Sequence, residues 1–180
     1  MTLSDFKFVP LTAKIDVQEF DCGEPDITNF LKEDAFNYQN QLMANTYLFI
    51  GDDNYIVAYF CISNDCVVDK GEDKGFTKTI FNRLHRRTKI PNTKRIKQYP
   101  AIKVGRLGVA VKYQGTGIAY ELMDFIKGFS IESQKSACRF LLLDALNKER
   151  QIKYYTSNRF EFLLDNDENE VTRIMYYDMM

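Results

Sequence analysis

The pattern of hydrophobic and polar positions predicts a chain in which strands and helices alternate. Short segments rich in β-branched and aromatic residues predict strands at 6–9, 46–50, 55–62, 103–111, 139–146, 159–164 and 172–178. The polar residues 51–54 predict a hairpin turn between the second and third strands. The segment 139–146 is almost continuously apolar, which is typical of a strand buried on both faces.

Apolar residues that recur at spacings of three and four predict two amphipathic helices. The first covers residues 25–42, and its apolar face consists of Ile27, Phe30, Leu31, Ala35 and Tyr38. The second covers residues 116–135, and residues 148–157 also have a helical pattern. Residues 76–84 are compatible with a further helix that leads into a basic loop. Strands and helices in this order predict an α/β fold.

The composition is that of a folded globular protein. Of the 180 residues, 45% are hydrophobic, 27% are charged, and 9 Gly and 4 Pro are too few for a collagen-like or wholly disordered chain. The apolar runs are too short to span a bilayer, and residues 1–10 lack a signal-peptide pattern. We therefore expect a single soluble domain over residues 1–180, located in the cytoplasm.

The cysteines and histidines do not have the spacing of a zinc site. His85 is the one histidine, and the four cysteines include no C-x-x-C pair. We therefore expect no metal ion and reduced, buried thiols at Cys22, Cys61, Cys66 and Cys138.

Charge is segregated along a chain whose net charge is only −1. Residues 83–103 contain basic side chains and no acidic one, whereas residues 161–170 contain acidic side chains and no basic one. Two interpretations of the basic stretch stay open. It is either a surface that binds phosphates, or a solvated segment whose charges meet acidic side chains elsewhere in the chain.

One segment passes from a predicted strand through a turn with two glycines directly into a predicted helix. Gly115 and Gly117 allow backbone N–H groups to approach an anion, and the helix directs its unpaired amides to the same point. The turn is compatible with phosphate binding and with a purely structural role. The chain has no Gly-x-x-x-x-Gly-Lys-Ser/Thr string, and Tyr120 stands where a dinucleotide-binding fingerprint needs its third glycine.

The residues of this turn resemble the Arg/Gln-x-x-Gly-x-Gly/Ala motif of the GNAT superfamily of acetyl-CoA-dependent N-acetyltransferases. Residues 106–111 are similar to the fourth strand of that family. The resemblance implies a mixed, splayed sheet flanked by helices and opened near residues 109–111, with acetyl-CoA as co-substrate. It also implies that strand residues contact the acetyl and pantetheine groups, and turn amides the pyrophosphate: Leu107, Val109 and Val111, then Gln114, Gly115, Thr116, Gly117, Ile118 and Ala119.

A second segment, 154–160, is similar to the family motif Phe-Tyr-x-x-x-Gly-Phe. By this resemblance Tyr155 is the general acid that returns a proton to the thiolate of coenzyme A, although a packing role for this tyrosine stays open. Arg159 replaces the motif's glycine at a turn that often needs a positive φ. Asn147 resembles a residue that touches the pantetheine arm, and a helix cap is the alternative.

Residues 20–35 and the Tyr99-Pro100 pair are similar to the TacT-type acetyltransferase toxins, which acetylate aminoacyl-tRNA. This resemblance implies tRNA contacts, an antitoxin as partner, and acetyl transfer by direct attack of a primary amine. The acceptor, the general base and the oligomeric state, including a homodimer, stay open. So do two other functions, a non-catalytic acyl-CoA-binding module and an RNA-binding module. The basic residues assigned to tRNA are Arg83, Arg86, Arg87, Lys94 and Arg95.

Overall fold

A computed structural model describes residues 1–68, 78–92, 96–132 and 137–180 of the chain. Its strands are β1 (Lys7–Pro10), β2 (Asn45–Ile50), β3 (Ile56–Val68), β4 (Gln98–Val109), β5 (Phe140–Leu146), β6 (Glu161–Phe162) and β7 (Thr172–Asp178). Its α-helices are α1 (Pro25–Asn29), α2 (Ala35–Asn40), α3 (Lys78–Arg87), α4 (Ile118–Glu132) and α5 (Glu149–Ser157).

The seven strands form a sheet in the order β1-β2-β3-β4-β5-β7-β6. The pairs β1–β2, β2–β3, β5–β7 and β6–β7 are antiparallel, and β4–β5 is parallel. Every strand predicted from the sequence has a counterpart, and the hairpin at residues 46–62 is present. The predicted mixed α/β sheet with flanking helices is thus confirmed.

Contacts between residues divide the chain into two compact units. The first comprises Met1–Asn64 and Val104–Phe129, and the second comprises Asp65–Lys103 and Ser130–Met180. In the first unit, the ring of Phe8 lies 4.7 Å from that of Phe125 and 5.4 Å from that of Phe129, so α4 packs on β1 through its aromatic side chains. In the second unit, α3 packs on the sheet through Ile80, Phe81 and Leu84.

The predicted helix over residues 25–42 is interrupted by a π-helical turn. Phe30–Asp34 has this geometry, and the N–H of Ala35 donates to the carbonyl of Phe30, one residue further back than in an α-helix. The extra residue rotates the helix after this turn. Tyr38, which the sequence placed on the apolar face, is consequently 45% exposed, and the prediction for this residue was wrong.

The parallel ladder between β4 and β5 is short. It pairs Ala101, Ile102 and Lys103 with Phe140, Leu141 and Leu142, although β4 continues to Val109 and β5 to Leu146. This short ladder agrees with the predicted splayed sheet, but it ends earlier along β4 than residues 109–111. β4 also begins five residues before the predicted strand, and β5 is not buried throughout because the side chain of Asp144 is 41% exposed.

The four cysteines are free thiols. Cys22 and Cys61 are buried, as predicted, whereas Cys66 and Cys138 are only half-buried. Burial raises the pKa of the Cys61 and Cys138 thiols to about 11, so both stay protonated at neutral pH.

Candidate functional site

The turn between β4 and α4, in the first unit, is one candidate site. Gly115 and Gly117 have φ angles of +77° and +95°, which side chains other than glycine rarely adopt. A Cβ atom at either position would meet no atom within 4 Å, so the backbone here borders open space. Within the described chain, the N–H groups of residues 115–118 have no hydrogen-bond acceptor. These groups can therefore donate to an anionic ligand.

Side chains hold this turn in place. The Nε2 group of Gln114 donates to the carbonyl oxygens of Cys22 and Val109, at 2.8 and 3.0 Å. The hydroxyl of Thr116 donates to the carbonyl of Tyr113 at 2.7 Å. The turn is thus rigid before any ligand binds, which reduces the entropy that binding costs. Gln114 and Thr116 act in this way through their side chains, a role that sequence reasoning did not foresee.

The strand that leads into the turn is closely packed on one side. A Cβ atom at Gly108 would lie 3.0 Å from Ile27, 3.1 Å from Tyr59 and 3.2 Å from Phe20, so glycine is needed there for packing. Of the predicted contact residues, Val109 is buried and Leu107 is half-buried. Val111 is exposed, and it lies beyond β4 in the 3-10 turn Val111–Tyr113.

Tyr155, in the second unit, is a separate candidate residue. It lies near the end of α5, is half-buried, and contacts the ring of Phe160 with a centroid distance of 6.0 Å. Burial raises the pKa of its phenol to about 12. Tyr155 is therefore fully protonated at neutral pH and is able to donate a proton.

The end of α5 keeps the geometry of the family motif without its glycine. Arg159 has a φ of +64°, and its N–H donates to the carbonyl of Thr156. The N–H of Phe160 donates to the carbonyl of Tyr155, which completes a Schellman motif. The buried side chain of Asn158 also donates to the carbonyl of Tyr154. Replacement of the glycine has thus left the turn after Tyr155 intact.

A residue that the sequence did not reveal lies one helical turn before Tyr155. Gln151 is on the same face of α5 as Tyr155, and its Oε1 atom is buried with no hydrogen-bond partner in the described chain. An unpaired buried acceptor costs about 1–3 kcal/mol, so a hydrogen-bond donor from a bound molecule would stabilise this oxygen. The unpaired acceptor is recognised only in the structure, because the sequence around Gln151 does not distinguish it from a surface glutamine.

Asn147 lies just after β5 and has a structural role. Its Nδ2 group donates to the carbonyls of Glu168 and Glu170, at 2.7 and 3.0 Å. The N-cap of α5 is Lys148, so Asn147 does not cap the helix. Its predicted contact with the pantetheine arm stays a prediction that depends on its side-chain oxygen.

The basic residues assigned to tRNA are not equally available. Arg83 donates to the carbonyls of Phe162 and Leu163, and Arg87 forms a 2.8 Å ion pair with Glu161. Arg86 is exposed, and within the described residues its side chain has only a 3.3 Å bond to the carbonyl of Asn82. Arg87 thus meets an acidic side chain, as in the second interpretation of the basic stretch, whereas phosphate binding by this stretch stays a prediction. Lys94 and Arg95 lie outside the described residues.

Two features of other protein classes do not occur in the described parts of the chain. No three His, Cys, Asp or Glu residues there are grouped closely enough to hold a metal ion. Nor is any described helix sufficiently long and apolar to cross a bilayer.

The sequence matches no model of a known protein family. Solved structures, however, match nearly the whole chain. AtaT complexed with acetyl-methionyl-tRNAfMet is 21% identical with a TM-score of 0.66, over 97% of this chain and 95% of that one. AtaTR bound with acetyl-CoA is 22% identical with a TM-score of 0.68, over 98% and 95% of the two chains. A tyrosine-to-phenylalanine mutant of KacT is 22% identical with a TM-score of 0.68, over 97% and 95%. The chain therefore has the GNAT fold, as the resemblance implied.

Proposed function

We propose that this protein is an acetyl-CoA-dependent N-acetyltransferase that transfers an acetyl group to a primary amine, the α-amino group of aminoacyl-tRNA. The observation that carries the proposal is the rigid turn between β4 and α4, whose backbone N–H groups lack acceptors and border open space. Such a turn fits a pyrophosphate, because several amides and the helix dipole act on the same anion. The whole chain, residues 1–180, then forms the catalytic protein.

The proposed contacts to acetyl-CoA, the acetyl donor, are as follows. Main-chain atoms of Leu107, Val109 and Val111 contact the acetyl and pantetheine groups, and residues 114–119 hold the pyrophosphate. Gln151 accepts a hydrogen bond from an amide N–H of the pantetheine arm, which satisfies its buried oxygen. The side-chain oxygen of Asn147 also contacts the pantetheine arm.

Acetyl transfer proceeds by direct attack of the amine on the thioester. The N–C bond forms and the C–S bond breaks, while a backbone N–H near Val109 stabilises the oxyanion. Tyr155 donates its phenolic proton to the departing sulfur and regains a proton from solvent. The attacking nitrogen releases its extra proton to water. An α-amino group has a pKa of about 7.7–8.0, so a substantial fraction is neutral near pH 7.5 without a dedicated base.

The acceptor is proposed from the structural neighbours and the charge distribution. The structure of AtaT has been solved with acetyl-methionyl-tRNAfMet. Structures have also been solved of tyrosine-to-phenylalanine mutants of AtaT and of KacT. AtaT also binds the C-terminus of its antitoxin AtaR, which supports a small antitoxin as partner of this chain in the cytoplasm. Arg86 is the first candidate for a tRNA phosphate contact, because Arg83 and Arg87 are engaged within the protein.

Labelled acetyl-CoA and a mixed pool of aminoacyl-tRNA test this proposal, with deacylated tRNA as the control that lacks the amine. We expect N-acetylated aminoacyl-tRNA, detected by mass spectrometry after release of the amino acid. Tyr155→Phe should lower kcat by about 100-fold or more, because a positioned general acid contributes 10²–10⁴-fold. It should leave the Kd for acetyl-CoA unchanged.

Tyr38→Phe is the matched control, because Tyr38 is an exposed tyrosine in the other unit. If no product forms at saturating acetyl-CoA, the proposed enzymatic activity is refuted. The alternative, a non-catalytic acyl-CoA-binding module, then remains. Equal rates for the wild type and Tyr155→Phe would remove the catalytic role of Tyr155 alone.

A further inference from the structure

The second unit contains a cavity of about 200 Å³ that no step of the proposed reaction has used. Its walls are mostly apolar and include Val67, Leu142, Leu163 and Ile174. Leu142 and Leu163 are buried members of the core that α3 covers, and Ile174 packs against that core. The apolar wall is therefore part of a well-packed region, which makes the cavity a preformed one.

The cavity lies where the ladder between β4 and β5 ends. Lys103 and Leu142 form the last pair of this ladder, and both line the cavity. Beyond this pair the backbones of β4 and β5 are no longer joined by the ladder. A group bound in the cavity is thus adjacent to the end of the paired part of the sheet.

The cavity and Tyr155 lie on opposite faces of β5. Side chains alternate along a strand, and directly paired residues share a face. Asp144 pairs with Ile174, and both line the cavity. Leu141, on the other face, pairs with Tyr177, whose ring contacts Phe160, which in turn contacts Tyr155. A molecule in the cavity therefore approaches from the face opposite to the proton donor.

The charged groups at the cavity favour a cation. Asp144 forms a 2.5 Å ion pair with Lys103, so these two charges compensate each other. Asp65 is exposed, and among the described residues it accepts only the N–H of Cys66 and pairs with no basic side chain. A ligand with an ammonium group beside an apolar body matches this combination of an acidic edge and an apolar wall. An anionic ligand is repelled by the acidic edge. A ligand with a second charged group is also disfavoured, because that charge would be buried against the apolar wall.

We propose that this cavity binds the aminoacyl part of the acceptor and selects an uncharged, apolar amino acid. The apolar wall holds the amino-acid side chain, and Asp65 attracts the α-ammonium group before it loses its proton. This inference rests on the proposed function, since it names the acceptor of the same reaction. Selection follows because each missing methylene in an apolar pocket lowers affinity by roughly tenfold or more.

Amino-acid amides test the cavity directly, since they contain the side chain and the α-amine without the RNA. Methioninamide, glycinamide and aspartic acid α-amide are titrated into protein labelled at Ile and Leu methyl groups. We expect methioninamide to shift the NMR signals of Leu142, Leu163 and Ile174, and glycinamide to bind at least tenfold more weakly. We expect no binding of the acidic amide. Methionol, which keeps the side chain and lacks the amine, should also bind more weakly than methioninamide.

Two variants separate the apolar and the ionic contributions. Ile174→Ala should weaken methioninamide binding about tenfold and leave glycinamide binding unchanged, with the exposed Ile131→Ala as control. Asp65→Asn should weaken all amides severalfold, with the exposed Asp52→Asn as control. Asp65 is at the surface, so this second variant stays informative if Ile174→Ala does not fold.

The outcomes separate this inference from the proposed function. If acetyl transfer occurs but methioninamide shifts none of these methyl signals, or if Ile174→Ala keeps the wild-type preference among aminoacyl-tRNAs, the cavity assignment is overturned and the enzyme stands. If methioninamide binds here while no acetyl transfer is detected, the cavity is a site for apolar amines and the proposed function fails, together with the role of the cavity as an acceptor site. Equal binding of methionol and methioninamide would overturn the role of the Asp65 carboxylate.

Discussion

Tyr155 combines a reactive group with an environment that keeps it protonated. Its pKa is raised to about 12 by burial, so the phenol loses its proton only well above the pH at which the acceptor amine does. In the proposed reaction the phenol is the active form, so activity should be lost only when it ionises. In contrast, the amine is active when deprotonated, so the rate rises as pH passes its pKa.

We therefore expect kcat/KM to rise with pH around the pKa of an α-amino group, about 7.7–8.0, and then to stay level to at least pH 10.5. A pH profile from 6 to 10.5 with saturating acetyl-CoA measures this. Tyr155→Phe should show the same rising limb at a lower rate, because that limb belongs to the substrate. A descending limb centred near pH 10 or below would show that the acid has an ordinary or lowered pKa, against this account.

Gln151 tests whether the orphaned oxygen on α5 serves the acetyl donor. Gln151→Leu removes an unpaired buried acceptor, so the free energy of unfolding without ligand should rise by about 1 kcal/mol. The substitution also removes the proposed hydrogen bond between Gln151 and the pantetheine arm, so the Kd for acetyl-CoA should increase about fivefold. Chemical denaturation and calorimetry measure the two effects. The exposed Gln41→Leu is the control, and a stabilised Gln151→Leu with unchanged Kd would leave Gln151 a purely structural residue.

At the scale of elements, the end of α5 shows how a motif survives the loss of its glycine. Arg159 adopts the φ of +64° that the Schellman motif needs, although a side chain in the left-handed region costs about 1–2 kcal/mol. The five hydrogen bonds donated by residues 158–160 offset this cost. A motif search that insists on glycine misses this turn, whereas a geometric description includes it.

Arg159→Gly should therefore raise the free energy of unfolding by about 1 kcal/mol, because it removes the strain and keeps the backbone bonds. Thermal unfolding without ligand measures the change. Arg159→Ala is the matched control, since it removes the same charge but keeps a Cβ atom in the left-handed region. Equal stability of the two variants would show that Arg159 is not strained.

The sequence predicted the elements well where one physical signal dominated. The hydrophobic pattern located all seven strands along the chain, and the Gly turn was located correctly between β4 and α4. The π-helical turn at Phe30–Asp34 could not be predicted, because the 3.6-residue period continues smoothly through it. It is this turn that leaves Tyr38 exposed.

At the scale of the whole molecule, neighbouring basic residues of the segregated charge pattern have different surroundings. Arg83 and Arg87 hold the β6 segment, through its carbonyls and through Glu161, so the basic and acidic stretches of the sequence partly neutralise each other. Arg86, one residue from Arg87, faces solvent instead. The sequence could not separate these roles, because adjacent residues on a helix point in different directions.

The cavity in the second unit also lay beyond the reach of the sequence. Its lining comes from segments as far apart as Asp65, Lys103, Asp144 and Ile174, and no local pattern connects them. Lys103 and Asp144 meet only because β4 and β5 are parallel neighbours. The predicted amide contacts of residues 114–119 lie in one turn, whereas the cavity lining is brought together only by tertiary structure.

The central claim is that the turn between β4 and α4 binds acetyl-CoA, and calorimetric titration tests it most directly. We predict saturable 1:1 binding of acetyl-CoA and no binding of ATP to the wild type. Gly117→Val should weaken binding at least tenfold, because it places a side chain in the open space beside the free N–H groups. Gly128→Ala, in the middle of α4, should bind like the wild type. Absence of acetyl-CoA binding to the folded wild type, or equal affinity for Gly117→Val, would contradict the account.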